Sequence, residues 1–109
     1  MKTFEIETAW SHYDNCTLSQ SEYANNGHIA LSVWCDDGPL ADLTVNLDTT
    51  KKYPKNYGYV DTNNFPTATM LIYRLGIGTW TGTTGQSGWC EYPLYEFDLE
   101  KIKEYTEGE

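Results

Sequence analysis

The sequence predicts an α+β fold: a mostly antiparallel sheet of about four or five strands with one or two helices packed on it. Three observations lead there. Two runs with alternating apolar residues, His28 to Cys35 and Leu40 to Leu47, flank the turn sequence Asp36-Asp37-Gly38-Pro39 and read as a β-hairpin. Thr67 to Leu75 lies between Pro66, a favoured first-turn residue, and Gly76, a favoured left-handed stop, and reads as a helix. Trp89 to Phe97 reads as a final strand, followed by Asp98 as the cap of a short helix over Leu99 to Tyr105.

The remaining elements follow in chain order. Phe4 to Trp10 alternates apolar and acidic residues, the pattern of a half-buried strand. Ser11 to Asn26 is polar and irregular, and runs into the turn signal Asn25-Asn26-Gly27. In the hairpin, Ile29, Leu31 and Val33 share one face, and Leu43, Val45 and Leu47 alternate against Asp42, Thr44 and Asn46. Asp48 to Tyr57 reads as a loop, Tyr59 to Asp61 as a short strand, and Thr62-Asn63-Asn64 as a turn before the first helix, where Met70, Leu71 and Leu75 lie near one face. Thr79 to Gly88 is rich in Gly and Thr and reads as a flexible loop or a strand edge. Pro93 places the last strand at an edge or a bulge, because proline has no N–H to give to a sheet ladder.

The 109 residues make one domain, residues 1–109. It comprises an N-terminal strand and irregular segment to residue 25, a central region over 26–103, and an acidic tail over 104–109. A chain of this length buries roughly two-thirds of its unfolded surface, enough for a core without staples. An aromatic content of 15% argues against disorder despite the charge. Sixteen acidic residues against seven basic ones give a net charge of −9. Such a field repels nucleic acid and anionic membranes and attracts basic surfaces, besides keeping the protein soluble. No run of about 18 apolar residues is present, as a membrane span would need. Met1 to Glu7 lacks the basic and apolar regions of a signal peptide, so a cytoplasmic location is expected. Cys16, Cys35 and Cys90, odd in number and without CxxC spacing, fit a reducing compartment.

Catalytic and metal chemistry find little support. His12 and His28 lie far apart, and nothing local gathers them with the cysteines, so neither a metal site nor a cofactor is expected. Gly76-Ile77-Gly78 follows a helix and lacks the lysine of a phosphate loop. Asp36 and Asp37 occupy a turn, where aspartate is expected for turn reasons alone. Lys51, Lys52 and Lys55, beside Tyr53 and Tyr57, form too small a basic patch to hold nucleic acid against the overall charge. The expectation is a binding protein and not an enzyme.

The feature that stands out is the acidic C-terminal segment. Glu91, Glu96, Asp98, Glu100, Glu104, Glu107 and Glu109 are offset there by Lys101 and Lys103. Residues two apart on a strand point the same way, about 7 Å apart. Glu96 and Asp98, and Glu5 with Glu7 elsewhere, can therefore present rows of carboxylates to a lysine- and arginine-lined groove that otherwise holds nucleic-acid phosphates. An ordinary solvated helix face is the competing reading.

Three segments carry a resemblance: Ala41 to Leu47 (ADLTVNL), Tyr59 to Pro66 (YVDTNNFP) and Gly85 to Leu99 (GQSGWCEYPLYEFDL). In that order they resemble a family of small uncharacterised proteins carried by phages and conjugative elements of gut bacteria, over roughly residues 26 to 103. Length, acidity and that genetic setting are similar to those of anti-CRISPR proteins that inhibit type II-A effector nucleases. The resemblance implies an inhibitor of a bacterial defence nuclease, or else an accessory or regulatory binding protein of a conjugative element or phage. The implied partner is a protein with a basic surface, with no direct contact to nucleic acid or membrane, in the cytoplasm of a bacterial host. The partner-binding candidates are Glu96, Asp98, Glu100 and Glu104, with Trp89 and Tyr95 as aromatic anchors. Gly85, Gly88 and Pro93 are expected to shape the backbone.

Overall fold

The computed structural model describes residues 1–47 and 52–106. Strands β1 (Phe4–Glu7), β2 (His12–Glu22), β3 (Ile29–Cys35) and β4 (Gly38–Asp42) form one sheet in that spatial order. Strands β5 (Thr44–Val45), β6 (Tyr57–Val60), β7 (Gly78–Ser87) and β8 (Cys90–Phe97) form a second, in the order β5-β6-β8-β7. Helix α1 (Ala68–Leu75) joins β6 to β7, and α2 (Leu99–Lys103) follows β8. All strand pairings within the two sheets are antiparallel. The expected α+β architecture is the one found, with its strands divided between two sheets of four.

The division falls at Leu43. The Asp36-Asp37 turn links β3 to β4 as the hairpin pattern predicts. The run from Leu40 to Leu47 is nevertheless two strands, because the chain leaves the first sheet after Asp42 and enters the second at Thr44. Leu43, fully buried, donates its N–H to the Leu31 carbonyl at 2.9 Å, and its own carbonyl accepts from the Asp61 N–H at 2.9 Å. The Thr44 hydroxyl oxygen accepts from the Leu31 N–H at 3.0 Å and meets the Tyr23 hydroxyl at 3.0 Å. The crossing backbone therefore keeps its polar groups bonded in a place where water is excluded.

The core fills the space between the sheets and helices. Cys16, Leu18, Leu31 and Val33 come from the first sheet, Val60 and Phe97 from the second, and Ala68, Leu71, Ile72, Leu75 and Ile102 from the helices. A smaller cluster of Leu47, Tyr59, Tyr92 and Leu94 packs on the second sheet. In α1 the buried residues are Ala68, Leu71, Ile72 and Leu75, the i, i+3, i+4, i+7 set of one helix stripe. This corrects the expected face: Met70 is 70% exposed and projects away with Tyr73. Gly76 ends the helix at φ 71°, and its N–H reaches the carbonyls of Ile72 and Tyr73, as the sequence predicts.

One further expectation is corrected, for Ser11 to Asn26, and two open alternatives are decided, for Thr79 to Gly88 and for Pro93. The polar stretch from Ser11 to Asn26 contains the eleven-residue strand β2. Only Cys16 and Leu18 of that strand are buried, so no apolar period marks it; six consecutive pairings with β3, from Thr17↔Trp34 to Glu22↔Ile29, hold it in place. Thr79 to Gly88 is edge strand β7 over most of its length. Of the edge and the bulge that the sequence allows for Pro93, the bulge is found: β8 is an interior strand, pairing with β6 stops at Leu94, and the ladder to β7 is irregular between Trp80 and Thr84, which pairs with Pro93. Lys51 and the tail residues Glu107 and Glu109 lie outside the described residues.

The N-terminal strand and β2 meet the segment that follows α2. Lys2 donates its backbone N–H to the Glu104 carbonyl at 2.6 Å, and Leu18 donates to the Tyr105 carbonyl at 2.9 Å. Phe4 packs edge-on against Tyr105 with ring centroids 5.7 Å apart. The N-terminal strand is thus part of the domain that positions α2.

Candidate functional site

The β8–α2 junction collects three of the four acidic candidates. Glu96 occupies the exposed, penultimate position of β8, paired with Tyr57 of β6 and Thr79 of β7. Asp98 turns the chain: its N–H reaches the Ile77 carbonyl at 2.8 Å, and its carboxylate accepts from the Lys101 N–H at 3.1 Å as the N-cap of α2. Glu100 stands in the first turn of that helix, 87% exposed, with the Lys103 ammonium at 3.5 Å. Together with Asn56, Gly76 and Thr79, these carboxylates line an open groove of about 480 Å³.

Glu104 does not line this groove. Its carboxylate lies 2.8 Å from the Lys2 ammonium and 3.3 Å from that of Lys101. The hydrogen bond from Lys2, and then that from Lys101, hold its pKa below the usual 4.5. Its charge is spent on tying the N-terminus to the C-terminal helix. A depressed folded-state pKa means that this contribution is present above the unfolded value and fades as pH falls through the folded one. The expected result of an NMR pH titration is a Glu104 midpoint below 4.5 that rises in Lys2→Gln. An unchanged midpoint in that variant would show that the pair does not form in solution.

The aromatic candidates separate from the groove. Tyr95 is half-buried and packs against the core beside Phe97, with ring centroids 6.2 Å apart; burial raises its hydroxyl pKa. Trp89 is fully exposed at the β7–β8 turn, next to Gly88 at φ 61°. Glu96 lies seven positions along the chain from Trp89, a distance of about 23 Å on an extended strand. One compact partner contact spanning the groove and Trp89 therefore has to run the length of β8.

A second ionisable group lies on the β1–β2 hairpin, and the sequence reading missed it. Glu5 and Glu7 on β1 face His12 and Asp14 on β2, all four exposed. His12 Nε2 lies 2.8 Å from Asp14 Oδ1, a hydrogen bond that raises the imidazole pKa, with Glu5 and Glu7 adding to the shift. The signal was present as two i, i+2 pairs, Glu5-x-Glu7 and His12-x-Asp14, but only the strand pairing brings them together. His28, by contrast, packs near the Tyr53 ring, and Cys16, Cys35 and Cys90 are free thiols. Burial raises the pKa of the Cys16 thiol, which keeps it protonated and unreactive.

The fold defines a small two-sheet α+β protein with an acidic groove at the β8–α2 junction. The chain belongs to the family described as a domain of unknown function (DUF4313), whose model matches residues 17–109. The match begins within β2, so the β1 carboxylates and His12 precede it. No curated protein and no solved structure matches the chain. No helix among the described residues is long and apolar enough to cross a membrane.

Proposed function

We propose that this protein inhibits a bacterial defence nuclease, a type II CRISPR effector, by binding it directly in the host cytoplasm. The observation that carries the reading is the groove at the β8–α2 junction, where Glu96, Asp98 and Glu100 converge on a chain of net charge −9. A carboxylate surface of this kind is attracted to a channel built for nucleic-acid phosphates, and competes with the nucleic acid for its lysines and arginines. The action is occupancy and not turnover. Binding through charge also gives fast encounter and a strong dependence on salt.

The test is DNA binding by a guide-loaded type II effector at increasing concentrations of this protein. The expected result is a stable protein–effector complex and a loss of target DNA binding that is relieved at high salt. An effector that forms no complex, or that binds DNA equally well within the complex, would overturn the reading.

A further inference from the structure

We propose that the β1–β2 hairpin is a binding site for a divalent metal ion of the zinc class, held by Glu5, His12 and Asp14. The strand register builds the site. Glu7 pairs with His12 and Ile6 with Tyr13, but Phe4 pairs with Cys16. One residue of β1, Glu5, therefore faces two of β2, Asp14 and Asn15, and the extra residue is absorbed by Asn15 at φ 56°. Such a bulge re-aims the side chains beside it. Phe4 and Ile6 are buried on the inner face, so Glu5 and Glu7 project outward toward His12 and Asp14.

The distances suit one ion. One ligand atom from each of Glu5, His12 and Asp14 lies within 4.8 Å of the other two. Two ligand atoms about 2.1 Å from a tetrahedral ion stand about 3.4 Å apart. His12 Nε2 and Glu5 Oε1 are 3.5 Å apart. His12 Nε2 and Asp14 Oδ1, at 2.8 Å, share a proton that the ion would replace by a small rotation of an exposed side chain. On the far side of the ring, Glu7 Oε1 lies 3.9 Å from Nδ1. That distance is too long for a hydrogen bond, so Glu7 adds negative charge beside the ring without fixing its tautomer. The imidazole sets this group apart from an ordinary acidic patch. A nitrogen with two oxygens suits zinc-class ions, and three protein ligands leave a position for water.

Charge supports the assignment. Like charges opposed across a strand pair are destabilising. Three carboxylates surround one imidazole here, so even the protonated ring leaves an excess of negative charge. The nearby Arg74 guanidinium donates to the Glu5 backbone carbonyl and not to a carboxylate of the group. A bound cation relieves the repulsion and clamps β1 to β2.

The experiment is calorimetric titration of the full chain with Zn2+, with Co2+ as a spectroscopic probe and NMR to map the shifts. The expected result is one equivalent bound, with shifts centred on Glu5, His12 and Asp14. His12→Ala and the shape-conserving Glu5→Gln should each weaken binding at least about tenfold, and Glu7→Gln, which acts on the group through charge alone, by less. His28→Ala should bind as the parent does. No binding, equal binding in His12→Ala, or thiolate-to-cobalt charge transfer showing cysteine ligands would each overturn the proposal.

Discussion

Replacing Gly85 by valine is expected to lower the melting temperature by on the order of 10–20 °C. Gly85 pairs with Tyr92 across β7–β8. A Cβ at this position would stand 2.6 Å from Tyr59 Cε1, 2.9 Å from Cζ and 3.0 Å from Leu47 Cδ1. Tyr59 has little room to retreat: it is 5% exposed, its hydroxyl bonds to that of Tyr53 at 2.7 Å, and its ring packs edge-on to Tyr53. Overpacking of this kind costs about 1–3 kcal/mol, and in a domain of this size each kcal/mol lowers the melting temperature by roughly 4–8 °C. Gly88→Ala is the matched comparison. Nothing lies within 4 Å of its Cβ position, and its cost is the backbone penalty of φ +61°, about 1–2 kcal/mol. Thermal unfolding followed by circular dichroism reads both. A Gly85→Val chain that melts with the parent would show that the Tyr59 cluster yields freely.

The two glycines show how far sequence reasoning reaches. Both were expected to shape the backbone, and the tight turn Ser87-Gly88-Trp89-Cys90 bears that out for Gly88 through its positive φ. The reason at Gly85 is a neighbour 26 residues earlier in the chain, which no local pattern can reveal. The same boundary runs through the fold. The Asp36-Asp37 turn, the Gly76 stop and the Asp98 cap are local chemistry, and each is found where the sequence places it. The switch of sheets at Leu43 and the strand β2 depend on long-range pairing and were not legible. Thr44 reads as an outward polar residue in an alternating strand; it is buried because its hydroxyl has tertiary partners.

The candidate surface follows the same logic. Glu96, Asp98 and Glu100 fall together because a strand end, a cap and a first helical turn are consecutive in the chain. Glu104 belonged to the same run by composition, and only the path of the N-terminus decides that it meets Lys2. Trp89 and Tyr95 are close in sequence but serve different places, a hairpin tip and the core margin. Strand geometry turns short sequence separations into long distances, whereas the hairpin joins Glu5 to His12 across seven residues.

Neutralising the groove should separate its carboxylates from Glu104 in function. The variant Glu96→Gln, Asp98→Asn, Glu100→Gln is expected to fold as the parent does and to lose most inhibition of effector DNA binding. Asparagine at position 98 retains an acceptor for the Lys101 N–H, so the cap of α2 survives the loss of charge. Each exposed charge alone contributes little, and the effect appears only when the three are removed together. Glu104→Gln should leave inhibition nearly unchanged, because that carboxylate already faces Lys2 and Lys101. The parent's inhibition should weaken between 0.1 M and 1 M salt, as the screening length falls from about 10 Å to about 3 Å. Binding isotherms of effector to labelled target DNA, with each variant as competitor, give all three comparisons. If the triple variant inhibits as well as the parent, the acidic groove is not the contact. Inhibition would then have to run through an apolar surface, of which the exposed Trp80 and Trp89 on the β7–β8 hairpin are the first to replace.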